Sequence, residues 1–514
     1  MSISRRQFVA GAALAGPFAG LLVNPQFAAA KGNGNAGGGA NAQSGYGPLA
    51  PALDASTGEA NLSLPAGFRY RSIAIEGSTM LDGNTTPGSF DGMECYQGTG
   101  GKVRLVRNHE TGPQQGTGGP AAPADSNPYD PACNGGTTTI EVDLRGNSNN
   151  WGDVSSWSSL TGTYFNCSGG SSSYGTWFSC EELPGGSDLG PTDGVDPFPG
   201  GHDFFGNGAS NLTKKHGYVY EVDPAWGPGE NPTPIPITQA GRFTHEGAEM
   251  DNATGYLYMT QDDFFAPSGL YRYIAPNNPL RDKRVEDGGR LEMLRVVGID
   301  NAPLFEHQEP GATYQVDWVP IADPDPTYPA GFPWIATLGS VSSQGQAQGA
   351  ALFSRLEGIR RRGRRIYFNS TQGGQGREGA SSTFGPGFGQ VWVLDLASMQ
   401  LTLVFEAPAV DGPVEPGNLP PLSLPDNIAI SPKGALVLCE DGTIDRPDRG
   451  FVVPHNFLRG LSRKGDLFDF AENLINDSEF TGACFSPDGK SLFVNRQSPG
   501  LTFEIRGPFG NGPW

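Results

Sequence analysis

The chain has 514 residues, a formal net charge of −20 and only 17% charged residues. That sign repels polyphosphate backbones and anionic lipid over most of the surface, so a general nucleic-acid or membrane-surface role is excluded, and no stable membrane association is expected. With 76 Gly and 44 Pro, tight turns between many short strands are expected and long helices are not.

The N-terminus carries Ser4-Arg5-Arg6-Gln7-Phe8-Val9, followed by a short apolar run from Gly11 to Val23 and the small-residue stretch Ala28-Ala29-Ala30. This is the pattern of a twin-arginine export signal over residues 1–30. It predicts that the twin-arginine translocase exports the chain already folded, to the periplasm or the medium. Residues 31–45 are rich in Gly, Asn and Ala and read as a flexible linker. Residues 46–514 are expected to form one domain.

Strand-like segments behind glycine turns recur along this domain. They are Gly217–Asp223, Gly255–Met259, Gly269–Ile274, Arg365–Phe368, Gly389–Asp395, Gly434–Leu438 and Gly489–Val494. Their hairpin grammar predicts an all-β fold, a β-propeller of six blades, with residues 184–214 and 276–350 as long insertions. Propeller loops converge at one mouth, so scattered motifs can share a site. The six cysteines (Cys95, Cys133, Cys167, Cys180, Cys439 and Cys484) are even in number, which allows disulfides in an exported protein without fixing their pairing. Cys439 and Cys484 sit in apolar runs and read as buried structural thiols.

Acidic and amide residues gather at strand ends, in Asn108-His109-Glu110, Cys180-Glu181-Glu182, His245-Glu246-Gly247, Asp262-Asp263, Arg355-Leu356-Glu357, Asp426-Asn427 and Glu440-Asp441. Hard cations such as calcium take six to eight oxygen ligands, and a thiolate among carboxylates suits an iron-type ion. His109 and His245 each precede a glutamate and read as supports for it. Trp177 and Phe178 read as packing beside the site. The run Arg360-Arg361-Arg362-Gly363-Arg364-Arg365 reads as a solvated hairpin turn.

The segments Arg107–Glu110, Asn166–Gly170, Gly175–Glu182, His216–Pro224, Arg242–Ala248, Tyr258–Asp263, Pro425–Asn427 and Thr481–Asn495 resemble, in order, the PhoX family of exported alkaline phosphatases. The resemblance implies a six-bladed propeller whose mouth holds ferric and calcium ions and hydrolyses phosphate monoesters. Carried over, Cys180 is the iron thiolate ligand. Glu246 and Glu357 bridge metals, with Asp262, Asp263 and Asp426 as further ligands. Glu181 and Glu110 join the metal set, Arg355 holds phosphate oxygens and Asn108 joins it at the reaction. The chain departs from the family pattern on the rim, at Ser354, Leu356, Arg496 and Ser498. Small-molecule phosphate esters are the expected partners, and the chain is expected to be a monomer. The alternatives are a calcium-dependent propeller lactonase and a non-catalytic propeller that binds metal and phosphate.

Overall fold

The computed structural model describes residues 45–112, 120–121, 127–146, 151–189, 212–329, 332, 334–375, 385, 387–409, 420–442 and 456–514. The predicted signal and all but the last residue of the linker fall outside these. Among the described residues no helix is long and apolar enough to cross a membrane.

The fold is a β-propeller. Its innermost strands are β1 (Phe90–Gln97), β2 (Asn166–Ser171), β3 (His245–Met250), β4 (Leu356–Arg362), β5 (Pro425–Ile430) and β6 (Phe480–Phe485). Each packs on the next and β6 packs on β1, which closes a ring of six. From each inner strand an antiparallel sheet runs outward. All seven strand-like segments picked out above are strands, all within these sheets. The segment 276–350 is more than an insertion, because Arg290–Val296 and Thr313–Pro320 continue the sheet of β3 outward. Of the other predicted insertion, residues 190–211 lie outside the described residues.

Apolar residues on both faces of the sheets fill the gaps between neighbours, so each gap has its own core. Val106, Leu160, Trp177 and Tyr220 fill the gap between the sheets of β1 and β2. Phe353, Ile359, Tyr258 and Leu294 fill that between the sheets of β3 and β4. Burying one such side chain contributes about 1.5–3 kcal/mol, so the ring is held by many moderate terms rather than one central core. The early strand Arg69–Ile75 pairs antiparallel with the last strand, Leu501–Arg506, and completes the sheet of β6, which closes the ring by backbone hydrogen bonds. The Arg71–Glu504 ion pair, at 2.8 Å and buried, reinforces that seam.

Every inner strand carries the same irregularity, one residue after its start in five of them and two residues after it in β6. Two residues on the inner strand oppose one on its partner, a β-bulge, at Asp91-Gly92, Cys167-Ser168, Glu246-Gly247, Glu357-Gly358, Asp426-Asn427 and Gly482-Ala483. Five of these second residues are Gly, Ser or Ala, with Asn427 the exception, and at Gly92, Gly247 and Gly358 the next inner strand lies against the backbone. A Cβ on Gly92 would meet Ser168 Cα at 2.6 Å, and one on Gly358 would meet Ile428 N at 2.6 Å.

The six cysteines are all buried and unpaired. Arg362 and Arg365 pair across a hairpin turn, with Gly363 at φ 61°, but the arginine run is not solvated throughout: Arg360 is buried in β4 and its Nη1 donates to Gly169 O at 2.8 Å.

Candidate metal centre at the propeller mouth

The repeated bulge sets the first of three registers at the mouth. Its leading residues are Asp91, Cys167, Glu246, Glu357, Asp426 and Gly482. The second register is the residue that leaves the next strand of each sheet: Glu110, Glu182, Asp262, Thr371, Asp441 and Gln497. The third is the residue that enters each inner strand: Ser89, Phe165, Thr244, Arg355, Leu424 and Glu479. In all six sheets the backbone N–H of the exit residue donates to the carbonyl of the entry residue, at 2.9 to 3.2 Å. Four entry residues, Ser89, Phe165, Arg355 and Leu424, have φ between 46° and 49°. A left-handed conformation in a residue with a Cβ costs about 1–2 kcal/mol, and here the bond across the sheet mouth holds it.

The three registers together bring nine carboxylates to one place: Asp91, Glu110, Glu182, Glu246, Asp262, Glu357, Asp426, Asp441 and Glu479. One oxygen from each of Glu246, Glu357 and Asp426 lies within 4.8 Å of the others, and the same holds for Asp426, Asp441 and Glu479. Arg355 is the cation set among them. Its Nε and Nη2 donate to Asp262 Oδ1 and Oδ2 at 3.1 and 2.8 Å, and Nη2 lies 2.8 Å from Glu357 Oε1. The face of its guanidinium sits over the Phe264 ring, 4.8 Å from the centroid.

One guanidinium cannot neutralise nine carboxylates. Burial, and then repulsion from Asp426 and Glu182, pushes Asp91 and Glu246 well above the usual carboxylate range. Burial with Glu110 and Asp262 does the same to Glu182, and burial with Asp262 and Asp426 to Glu357. Asp441 is pushed up to about 7 by burial, despite Arg355. Asp91 Oδ1 and Glu479 Oε2 are buried without a hydrogen-bond donor. Buried acceptors of this kind are costly unless a donor or cation meets them. The donor set therefore fits hard cations. The Cys167 thiol, pushed up by burial and by Glu246, Glu182 and Asp91, shares the wall and suits a softer or trivalent ion.

Of the residues singled out in the sequence, Glu110, Glu246, Asp262, Arg355, Glu357 and Asp426 come together here. Asn108, Cys180, Glu181 and Asp263 do not. Asn108 lies two residues before the exit Glu110, and its amide is fully used. Nδ2 donates to Cys167 O and Ser168 O at 3.0 and 2.6 Å, while Oδ1 accepts from Trp177 Nε1 and Ser179 Oγ, both at 2.9 Å. It clamps the bulge of the neighbouring inner strand. Asn369 and Asn495 occupy the same position in their sheets and donate to Asp426 O and Asp91 O, each at 2.7 Å.

Cys180 holds this clamp position in the second sheet, among Phe178, Val219 and Phe243. The bulge position in the ring belongs to Cys167. Glu181 points away from the mouth, its carboxylate accepting from Tyr164 N, Gly217 N and Tyr218 N and paired with His216. Asp263 Oδ1 caps the following turn by accepting from Phe265 N and Ala266 N at 2.9 Å.

His109 and His245 face the entry loops, with Nδ1 of His109 at 2.8 Å from Gly88 O and Nε2 of His245 at 2.9 Å from Gly241 O. Burial holds both rings neutral, that of His245 down to about 3. Trp177 and Phe178 are fully buried packing residues. Residue-by-residue reading left out Asp91, Cys167, Glu182, Asp441 and Glu479 as ligands. The signal for the first two was the acid-Gly or Cys-Ser pair at the start of an inner strand.

A family model described as alkaline phosphatase PhoX matches residues 44–500. Among solved structures, Pseudomonas fluorescens PhoX in complex with vanadate, a transition state analogue, is similar over 91% of this chain and 98% of its own, with 20% identity and a TM-score of 0.59. A gluconolactonase from Xanthomonas campestris aligns over 82% of this chain and 97% of its own, at 11% identity and a TM-score of 0.32. Trypanosoma rangeli sialidase aligns over 86% of this chain and 60% of its own, at 7% identity and a TM-score of 0.35. No curated protein matches the chain in sequence.

Proposed function

The chain belongs to the PhoX family of alkaline phosphatases, and from that premise we propose that the three-register mouth is its phosphatase centre, acting on small-molecule phosphate monoesters with iron and calcium ions. The observation that carries this reading is the convergence of nine carboxylates, one thiol and one arginine from all six sheets. Asp91, Glu246, Glu357 and Asp426 from the bulges and Glu110, Glu182, Asp262, Asp441 and Glu479 around them would hold hard ions. Cys167 would supply the thiolate to iron in place of Cys180.

Bound there, iron and calcium supply the positive charge that neutralises phosphoryl oxygens during in-line transfer. The rest is done by the chain itself. Arg355 offers a planar fork of donors suited to phosphate oxygens. Asp262 grips Nε and Nη2 of that fork, Phe264 backs its face, and the left-handed backbone at Arg355 aims it into the mouth. Asn108, Asn369 and Asn495 keep the bulges, and so the ligand register, in place.

The chain is proposed to leave the cytoplasm folded, by the twin-arginine route, with iron loaded before export and calcium completing the site in the periplasm or medium. A monomer is the proposed state. Hydrolysis of p-nitrophenyl phosphate at alkaline pH, measured with and without chelator and paired with elemental analysis, tests the reading. Chelator-sensitive turnover with bound iron and calcium is expected. No turnover in a metal-replete sample sinks it, and calcium without iron turns the case to the lactonase-type alternative.

A further inference from the structure

Outboard of the mouth, a second group of ligand-type atoms gathers where no carboxylate of the three registers reaches. One ligand atom each from Asp130, Cys133 and His216 lies within 4.8 Å of the others, and all three side chains are buried. Cys133 Sγ and Asp130 Oδ2 each lie 3.4 Å from His216 Nε2. A tetrahedral divalent ion about 2.3 Å from sulfur and ~2.0–2.2 Å from nitrogen and oxygen sets its ligand atoms ~3.3–3.6 Å apart. The observed spacings match those edges.

An independent feature points the same way. The other nitrogen of the imidazole, Nδ1, lies 2.7 Å from Glu181 Oε1. Glu181 is fixed in turn, with Oε1 accepting from Tyr164 N at 2.9 Å and Oε2 from Gly217 N and Tyr218 N at 2.7 and 3.0 Å. A carboxylate behind one ring nitrogen is how metal-bound histidines are oriented, because it fixes the tautomer and leaves Nε2 bare for the ion. Asp130 is held too. Its Oδ2 accepts from Thr213 N and Lys214 N at 2.6 and 2.9 Å, and Oδ1 from Ala132 N and Thr213 Oγ1, both at 2.9 Å. The rings of Tyr129 and Tyr164 wall the imidazole, with centroids at 5.3 and 5.5 Å.

We propose that Asp130, Cys133 and His216 form a second, mononuclear site for a zinc-type divalent cation, separate from the mouth. A thiolate, an imidazole and a carboxylate are together the donor set of a borderline ion and differ from the oxygen-rich mouth. The two sites meet back to back, since Glu181 faces His216 while Glu182 faces the mouth. The ion joins the segment around Asp130 and Cys133 to His216 and so to the second sheet. Binding displaces the Cys133 thiol proton, and any proton on His216 Nε2, so affinity falls as pH falls.

Cobalt(II) added to the chelator-stripped full-length chain is the first test, since thiolate ligation gives a charge-transfer band that oxygen ligands do not. The expected result, read in the Cys167→Ser background so that the mouth offers no thiolate, is a band that zinc bleaches and that is lost when Cys133→Ser is added. Glu181→Gln should weaken cobalt binding ~10–100-fold without removing the band. A band unchanged when Cys133→Ser is added overturns the proposal. Should Cys133→Ser fail to fold, anomalous diffraction at the zinc edge from wild-type crystals grown with zinc decides. A peak between Cys133 Sγ, His216 Nε2 and Asp130 Oδ2 upholds the site, and none there overturns it, leaving a hydrogen-bonded triad.

Discussion

Glu440 and Asp441 are neighbours in the chain and opposites in environment. Glu440 accepts from Ser423 N, Phe457 N and Arg459 Nε at 2.9, 3.0 and 2.8 Å, so its buried charge is matched within the protein. Asp441, one residue on, faces Asp426 and Asp262, and burial and then those charges push it up to about 7. Glu181 and Glu182 divide the same way. All four are acids at the end of the same kind of strand. What differs is whether protein donors fill the carboxylate, and within these two pairs that separates scaffold acids from acids that face one another and need an outside cation.

Arg355→Ala should lower kcat/KM for p-nitrophenyl phosphate by ~10³-fold or more with iron and calcium content nearly unchanged. If metal is lost in step with activity, Arg355 holds the site together rather than the substrate. Cys167→Ser should lose bound iron and turnover together, read by elemental analysis and the same assay.

The scaffold side is sharpened by urea denaturation of the chelated protein. Glu440→Gln leaves the buried Arg459 with only Asp469 and should destabilise by about 3 kcal/mol. Asp441→Asn removes a repelled charge and should raise the midpoint instead. Equal losses from the two variants would erase the distinction.

The pH dependence has a definite sign. Asp441 binds its proton more tightly folded than unfolded, so its contribution is full below the unfolded value near 3.8 and is lost as pH rises through about 7. The chelated chain should therefore melt at a higher temperature at pH 5 than at pH 8. Restored metal should narrow the gap, and a chelated chain more stable at pH 8 would contradict it.

Much of this was legible in the chain. Six of the mouth residues follow from the family resemblance, and the strands behind glycine turns and the arginine run at a hairpin are readable from spacing and residue type. So is a repeat that emerges only with the registers aligned: Asn108-His109-Glu110, Cys180-Glu181-Glu182, Thr260-Gln261-Asp262, Asn369-Ser370-Thr371, Cys439-Glu440-Asp441 and Asn495-Arg496-Gln497 are one clamp, strand end and exit in six versions. What spacing hides is direction. A strand sends successive side chains to opposite faces, and a bulge resets that alternation by one residue, so neither Glu181 against Glu182 nor Cys167 against Cys180 can be sorted before the bulge is placed. Glu479 was hidden for a related reason, because in its sheet the bulge residue is Gly482 and the acid comes from the entry position instead. The outer strands Arg290–Val296 and Thr313–Pro320 lie in a stretch dominated by loops, which masks their period.

The smallest expected effect falls on the cysteine that sequence favoured. Cys180 sits in the clamp position, packed among Phe178, Val219 and Phe243, with its thiol pushed up by burial and by Glu246. Cys439, its counterpart in the fifth sheet, is a buried core residue too. A small buried hydrophobe replaced by a smaller one loses little area, so Cys180→Ala should cost about 1 kcal/mol in urea denaturation and leave bound iron and kcat near wild type. Because Cys180 and Cys167 are held on paired strands, with Cys167 Sγ 3.8 Å from Cys180 O, a nonspecific disturbance of the second sheet would depress both variants alike. Iron retained in Cys180→Ala and lost in Cys167→Ser assigns the thiolate to the bulge. Iron lost in Cys180→Ala alone returns it to the clamp.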